Sequence, residues 1–159
     1  MCVFFCSWYF TIASTSSSLM VVPRWDAWVG SSSSLSRGFI YMSKIINDSF
    51  TLPCGQVIKN RICKAAMTER IAKGNNLAHQ GHVNLYRTWA EGDIGILLTG
   101  NVMVDQKNLE GPANVVIDSD NYKDHLDVLR DWSEAGTKDN TQLWMQISHA
   151  GRQTPGEIN

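Results

Sequence analysis

Apolar and polar positions change character near residue 42. Before it, residues 3–13 (VFFCSWYFTIA) form an apolar run, serines cluster at 16–18 and 31–34, and Arg24, Asp26 and Arg37 are the only charged side chains. No helical or alternating period is sustained there, so residues 1–41 are expected to form an irregular or disordered extension. From Phe50 the pattern is regular. Residues 50–52 and 57–59 predict a small hairpin, with Pro53 and Gly55 supplying its turn. Residues 61–66 read as a short apolar strand. Asn76 is placed to cap a helix over residues 78–91, in which Val83, Tyr86, Trp89 and Ala90 recur at helical spacing and Gly92 marks the end. Residues 94–99 are continuously apolar, which suits a parallel strand covered on both faces. Residues 102–117 read as a long connection broken at Gly111 and Pro112. A second helix starts near Asp118 or Ser119. Tyr122, Leu126, Leu129 and Trp132 or Ser133 mark its inner stripe, and Gly136 closes it. Residues 141–147 are a third strand.

Strands alternating with helices predict parallel βαβ units and an α/β fold. Periodicity alone does not separate a barrel from a doubly wound sheet. No G-x-G-x-x-G follows the first strand and no G-x-x-x-x-G-K-[ST] occurs, so neither a Rossmann dinucleotide site nor a P-loop is supported.

The 159 residues suffice for one domain with a core. They fall short of the roughly 250 of a complete eight-fold barrel. A net charge of −1 provides no basic field for nucleic acid or anionic lipid. The run at 3–13 is shorter than the ~20 residues that span a bilayer. It has the length of a secretory core, but no Lys or Arg precedes it. The segment from Met42 to Leu52 reads as the start of a cytoplasmic enzyme, which makes residues 1–41 an extended or mis-assigned N-terminus; a targeting or secretory segment in residues 1–15 is the alternative. Cys2, Cys6, Cys54 and Cys63 lack the spacing of a zinc site or a disulfide framework and read as free thiols in a reducing compartment. His79 and His82 share a helix face without a third ligand, so a solvated face is expected rather than a metal site. Trp132 and Trp144 are expected in core or helix–sheet contacts.

Three segments carry a family resemblance. Residues 60–68 (NRICKAAMT) resemble the first strand of the old yellow enzyme family, the FMN-dependent NADH:flavin oxidoreductases. Residues 89–104 (WAEGDIGILLTGNVMV) resemble its second strand and exit loop, and residues 146–153 (QISHAGRQ) its Q-L-x-H-x-G-R signature after the third strand. The resemblance implies a (β/α)8 TIM barrel with FMN across the C-terminal strand ends, where barrel sites form. Residues 42–159 would be the N-terminal portion of that barrel, a hairpin plus about three βα units.

The resemblance also implies site residues. Ala65, Ala66, Met67 and Thr68 match the segment beneath the flavin ring, where small residues let the backbone approach. Thr68 would offer its hydroxyl to the carbonyl beside the reactive nitrogen, stabilising negative charge on reduced flavin; taken alone, Thr68 reads as a strand-end cap. Gly100 matches a backbone contact to the pyrimidine edge, and Gln146 the carboxamide that pairs with that edge. His149 and Arg152 read as loop-shaping. Family chemistry passes hydride from NAD(P)H to FMN and on to an activated alkene. The residues that hold and protonate the alkene match later strands, so catalytic residues are unassigned. The chain is therefore expected to bind FMN weakly or not at all, to be inactive alone, and to self-associate through exposed sheet edges. A non-catalytic binding fragment or pseudogene product is the alternative.

Overall fold

A computed structural model describes residues 19–21 and 45–157. The elements in chain order are β1 (Leu19–Val21), β2 (Phe50–Thr51), β3 (Val57–Ile58), β4 (Ile62–Lys64), α1 (Gln80–Glu91), β5 (Ile96–Met103), β6 (Val115–Val116), α2 (Leu126–Gly136) and β7 (Gln142–Ser148). Strand β5 is the centre of the sheet. It pairs in parallel with β7 along one side and with β4 and then β6 along the other. Strand β1 lies antiparallel along the far edge of β4, with Met20 opposite Cys63. Strands β2 and β3 form a separate hairpin.

The alternation β4–α1–β5–α2–β7 follows from the apolar pattern. Strand β5 is buried at six of its eight positions, as a parallel strand covered on both faces must be. One face packs under the helices. There Val83, Tyr86 and Ala90 of α1 and Trp132 and Ala135 of α2 close over Leu97 and Val102. On the other face the hairpin supplies Ile58, which packs with Cys63 and Ile96. Helix α1 ends where Gly92 donates its N–H to the Trp89 carbonyl.

Several expectations are corrected. Asn76 does not cap α1: its φ of +60° belongs to a tight turn, and His79 takes the cap, its Nδ1 accepting from the Gly81 N–H at 3.1 Å. His82 completes a reciprocal cap by accepting from the His79 N–H, and it is fully buried rather than solvated. The stretch 102–117 is not only a connection, because Val102 and Met103 complete β5 and Val115 and Val116 form β6 beside them. A single 3-10 turn, Tyr122–His125, precedes α2 and rotates the stripe. Tyr122 and Leu126 are consequently exposed, and His125, Trp132 and Ala135 face inward. Trp132 is a core residue as expected, but Trp144 is exposed on β7. Of the proposed extension at 1–41, only Leu19–Val21 is described, and those residues are in a strand; the rest lies outside the described residues.

Two buried histidines give the fold a pH dependence. Burial, with His79 alongside, holds His82 below its ordinary 6.5, and burial lowers His125 against the pull of Asp124 and Asp118. As pH falls the unfolded chain takes up these protons first. Stability from the neutral rings is therefore present above pH 6.5 and is lost as pH falls from there through the folded-state values. Both rings accept a backbone hydrogen bond at Nδ1, which an asparagine oxygen can replace. We expect the urea midpoint to fall more steeply between about pH 7 and about pH 5 in the wild type than in the His82→Asn/His125→Asn double variant. Equal slopes would refute this.

Candidate functional site

The C-terminal ends of β4, β5 and β7 point the same way, and the segments that leave them meet. Between Leu98 and Asn101 the pairing of β5 with β7 shifts register, so that three steps on β5 oppose two on β7. This bulge contains Thr99 and Gly100. Such irregularities re-aim side chains at sheet rims. The Thr99 hydroxyl accepts the Gln146 N–H at 2.9 Å and donates to the Gly100 carbonyl at 2.8 Å. Gly100 is buried against the segment leaving β4. A Cβ there would lie 2.5 Å from the Met67 carbonyl oxygen and 2.6 Å from Thr68 Cα. The bulge thus brings Met67, Thr68, Gly100 and Gln146 to one end of the sheet.

A buried polar layer supports this arrangement from the helix side. The Glu69 carboxylate accepts the Gly100 N–H at 3.1 Å and the Tyr86 hydroxyl. Lys64 is buried, donates to the carbonyls of Ala65 at 3.0 Å and Leu98 at 2.9 Å, and lies 4.4 Å from the Trp89 ring centre. Burial lowers the Lys64 ammonium from its ordinary value, and the nearby Glu69 and Cys63 oppose that shift. Burial pushes the Cys63 thiol up to about 11, so this cysteine is not a nucleophile at neutral pH. Burial and Glu69 push the Tyr86 phenol up, which keeps its proton on and its hydroxyl donating.

On the solvent side a second polar chain links two loops to strands β5 and β7. Arg70 donates to Glu110 at 3.0 Å, Asn114 and Asn101 donate to the same carboxylate at 3.3 and 3.5 Å, and Gln146 Nε2 donates to the Asn101 oxygen at 2.5 Å. His149 shapes the following loop by accepting the Gly151 N–H at 3.0 Å, and its other ring nitrogen lies 3.8 Å from Asp105. Arg152 is exposed in a single turn.

The sequence-derived residues are therefore gathered at one rim. Met67 and Gln146 are exposed, Ala65, Ala66 and Thr68 half-buried, and Gly100 buried. Gly100 has both backbone groups engaged within the chain, so close packing by itself explains its glycine. Lys64, Glu69, Tyr86, Asn101, Glu110 and Asn114 were not singled out from sequence as site residues. One signal for them was readable: a lysine inside the apolar strand Ile62–Lys64 requires buried partners.

No protein-family model matches the chain. An NADH-dependent flavin oxidoreductase of Neonectria sp. (strain DH2) is 39% identical over 106 residues, 66% of this chain and 14% of that protein. Another from Talaromyces variabilis is 36% identical over 108 residues, 67% of this chain and 26% of that protein. The old yellow enzyme from Trypanosoma cruzi superposes with a TM-score of 0.63 at 20% identity, covering 72% of this chain and 29% of that one. Over about two thirds of its length the chain is similar to NADH-dependent flavin oxidoreductases, and it shares its fold with old yellow enzymes.

The old yellow enzyme homologue from Zymomonas mobilis gives a TM-score of 0.62 at 20% identity, over 71% of this chain and 30% of that one. The chain thus spans 14% and 26% of the length of the two curated proteins. Its fold is the corresponding part of the α/β barrel, with the sheet open at β7 among the described residues. Among the described residues no helix is long and apolar enough to cross a membrane.

Proposed function

We propose that the rim formed by Ala65, Ala66, Met67, Thr68, Gly100 and Gln146 is part of an FMN site in an NAD(P)H-dependent oxidoreductase acting on activated alkenes. The observation that carries this reading is the β5 bulge, which joins Thr68, Gly100 and Gln146 at one strand end while leaving the Gln146 side chain exposed. The donor set fits the group. The exposed Gln146 carboxamide offers an acceptor beside a donor, as a flavin pyrimidine edge requires. Ala65 and Ala66 leave room for a ring, and Thr68 adds a hydroxyl. Glu69 is turned inward to Gly100 and Tyr86, so its charge is spent within the chain. When bound, FMN supplies hydride transfer from the reduced nicotinamide. The residues here bind and orient the ring edge. Free thiols at Cys54 and Cys63 suit the cytoplasm.

These contacts are few and uncharged, and each hydrogen bond contributes only about 1 kcal/mol net. We therefore expect saturable FMN binding by the 159-residue chain with Kd between about 10 μM and 1 mM, weakened about five- to thirtyfold by Gln146→Leu, and no NADH-driven alkene reduction above background. Flavin fluorescence titration and a coupled absorbance assay measure both. Absence of saturable binding would remove the flavin reading; stoichiometric flavin after desalting, with turnover, would remove the inactivity. Strand β7 exposes Trp144, Met145 and Ile147 and has no partner on its outer edge among the described residues. Self-association through that edge belongs to the proposal, and a strictly monomeric boundary in sedimentation of the same samples would exclude it.

A further inference from the structure

The polar chain ending at Gln146 has a direction, and Glu110 sets it. A carboxylate only accepts hydrogen bonds. Glu110 Oε1 takes Arg70, and Oε2 takes the Nδ2 groups of Asn114 and Asn101. Asn101 must therefore turn its nitrogen to Glu110 and its oxygen to Gln146. Gln146 must then turn its nitrogen to Asn101, as the 2.5 Å contact records. This leaves the Gln146 oxygen, with the second N–H beside it, for a ligand. The reverse order would set two acceptors against each other at Glu110 and leave Asn101 unpaired there, at a cost of about 1–3 kcal/mol. Burial alone would raise the Glu110 carboxyl, but hydrogen bonds from Arg70, Asn114 and Asn101 hold it below the usual range, so it is ionised at neutral pH.

We propose that Glu110 is a positioning residue that fixes the hydrogen-bond polarity of Gln146, selecting a ligand edge of the cyclic-imide type, an N–H donor beside a carbonyl. The ligand class rests on the flavin reading; the polarity does not. Glu110→Gln keeps the shape but can offer nitrogen or oxygen to Asn101, so both orders become accessible.

The test uses the full chain. The side-chain NH2 of Gln146 is assigned in 1H–15N spectra by its loss in Gln146→Leu. In the wild type its two protons should be well separated, with one exchanging slowly with water. Glu110→Gln should collapse them towards free-glutamine behaviour, and Asn101→Leu, which cuts the next link, should do the same if Glu110→Gln fails to fold. Unchanged Gln146 signals in the folded variant would overturn the proposal. FMN and its N3-methyl analogue are then titrated. The wild type should favour FMN by about tenfold, the worth of one lost hydrogen bond, and Glu110→Gln by less than about threefold. Equal binding of both flavins by the wild type would overturn the imide selection. Collapse of the Gln146 signals without any flavin binding would sink the flavin reading and leave the role of Glu110 standing.

Discussion

Replacing Gly100 with alanine is expected to lower the urea midpoint by on the order of 1 M, or to prevent folding. The added Cβ would run into Glu69 Oε2 and sit 2.5 Å from the Met67 carbonyl oxygen and 2.6 Å from Thr68 Cα. Glu69 cannot swing aside without releasing the Gly100 N–H and the Tyr86 hydroxyl. The other two atoms are backbone and have no rotamer to change. Relief therefore requires β5 and the segment leaving β4 to separate at the point where the bulge joins them. Overpacking of this kind costs about 1–3 kcal/mol, and two backbone obstacles argue for the upper end. Gly74→Ala is the control, because a Cβ there meets nothing within 4 Å. We expect that control to stay within about 0.5 kcal/mol of the wild type. If Gly100→Ala matches it in urea denaturation, the close approach of β5 to the segment leaving β4 is not what holds the rim.

Two residue sets explain how far the sequence could be read. Residues 94–99 were legible as a buried parallel strand because burial on both faces leaves a continuous apolar run, and β5 is that strand. The stripe Val83, Tyr86, Ala90 was legible because α1 runs without interruption over them. The stripe of α2 was legible at Leu129 and Trp132, which pack in the core, and misread at Tyr122 and Leu126 for a local reason. The 3-10 turn Tyr122–His125 advances the chain by a different angle per residue, so Tyr122 and the first helical residue Leu126 fall outside the face that Leu129 and Trp132 share. Strand β6 has two residues, too few to show any period. At the site, the family-like segments located Thr68, Gly100 and Gln146 at strand ends. Their supports were not legible, because the partners are remote in sequence: Glu69 is 31 residues from Gly100, and Arg70 is 40 from Glu110. Only the fold brings such pairs within hydrogen-bond reach. The apolar Trp144 was read as core because nothing in a single strand reports whether a neighbour covers it.

Tyr86→Ala is expected to cost about 3–5 kcal/mol, as truncation of a buried aromatic ring does. Tyr86 is fully buried, with ring centres 4.9 Å from Trp89 and 5.1 Å from Trp132. The same ring lies 5.6 Å from the Lys64 ammonium. Removing it would empty the space between the helices and leave Lys64 with Trp89 alone as an aromatic neighbour. Tyr86→Phe separates the two roles of this side chain. The ring contacts survive, and the Glu69 carboxylate loses the hydroxyl while keeping the Gly100 N–H. A buried acceptor left short of a donor costs about 1–3 kcal/mol. Urea denaturation should therefore order the proteins wild type, Tyr86→Phe, Tyr86→Ala, with unequal steps. The phenylalanine variant bears on function as well. If the hydroxyl holds Glu69 against the bulge, its loss should loosen Gly100 and weaken FMN binding beyond the stability change, because the rim and not the core is what relaxes. Tyr86→Phe with wild-type stability and unchanged flavin affinity would mean that the Glu69 carboxylate is held by Gly100 alone, and that the helix layer has no hand in shaping the site.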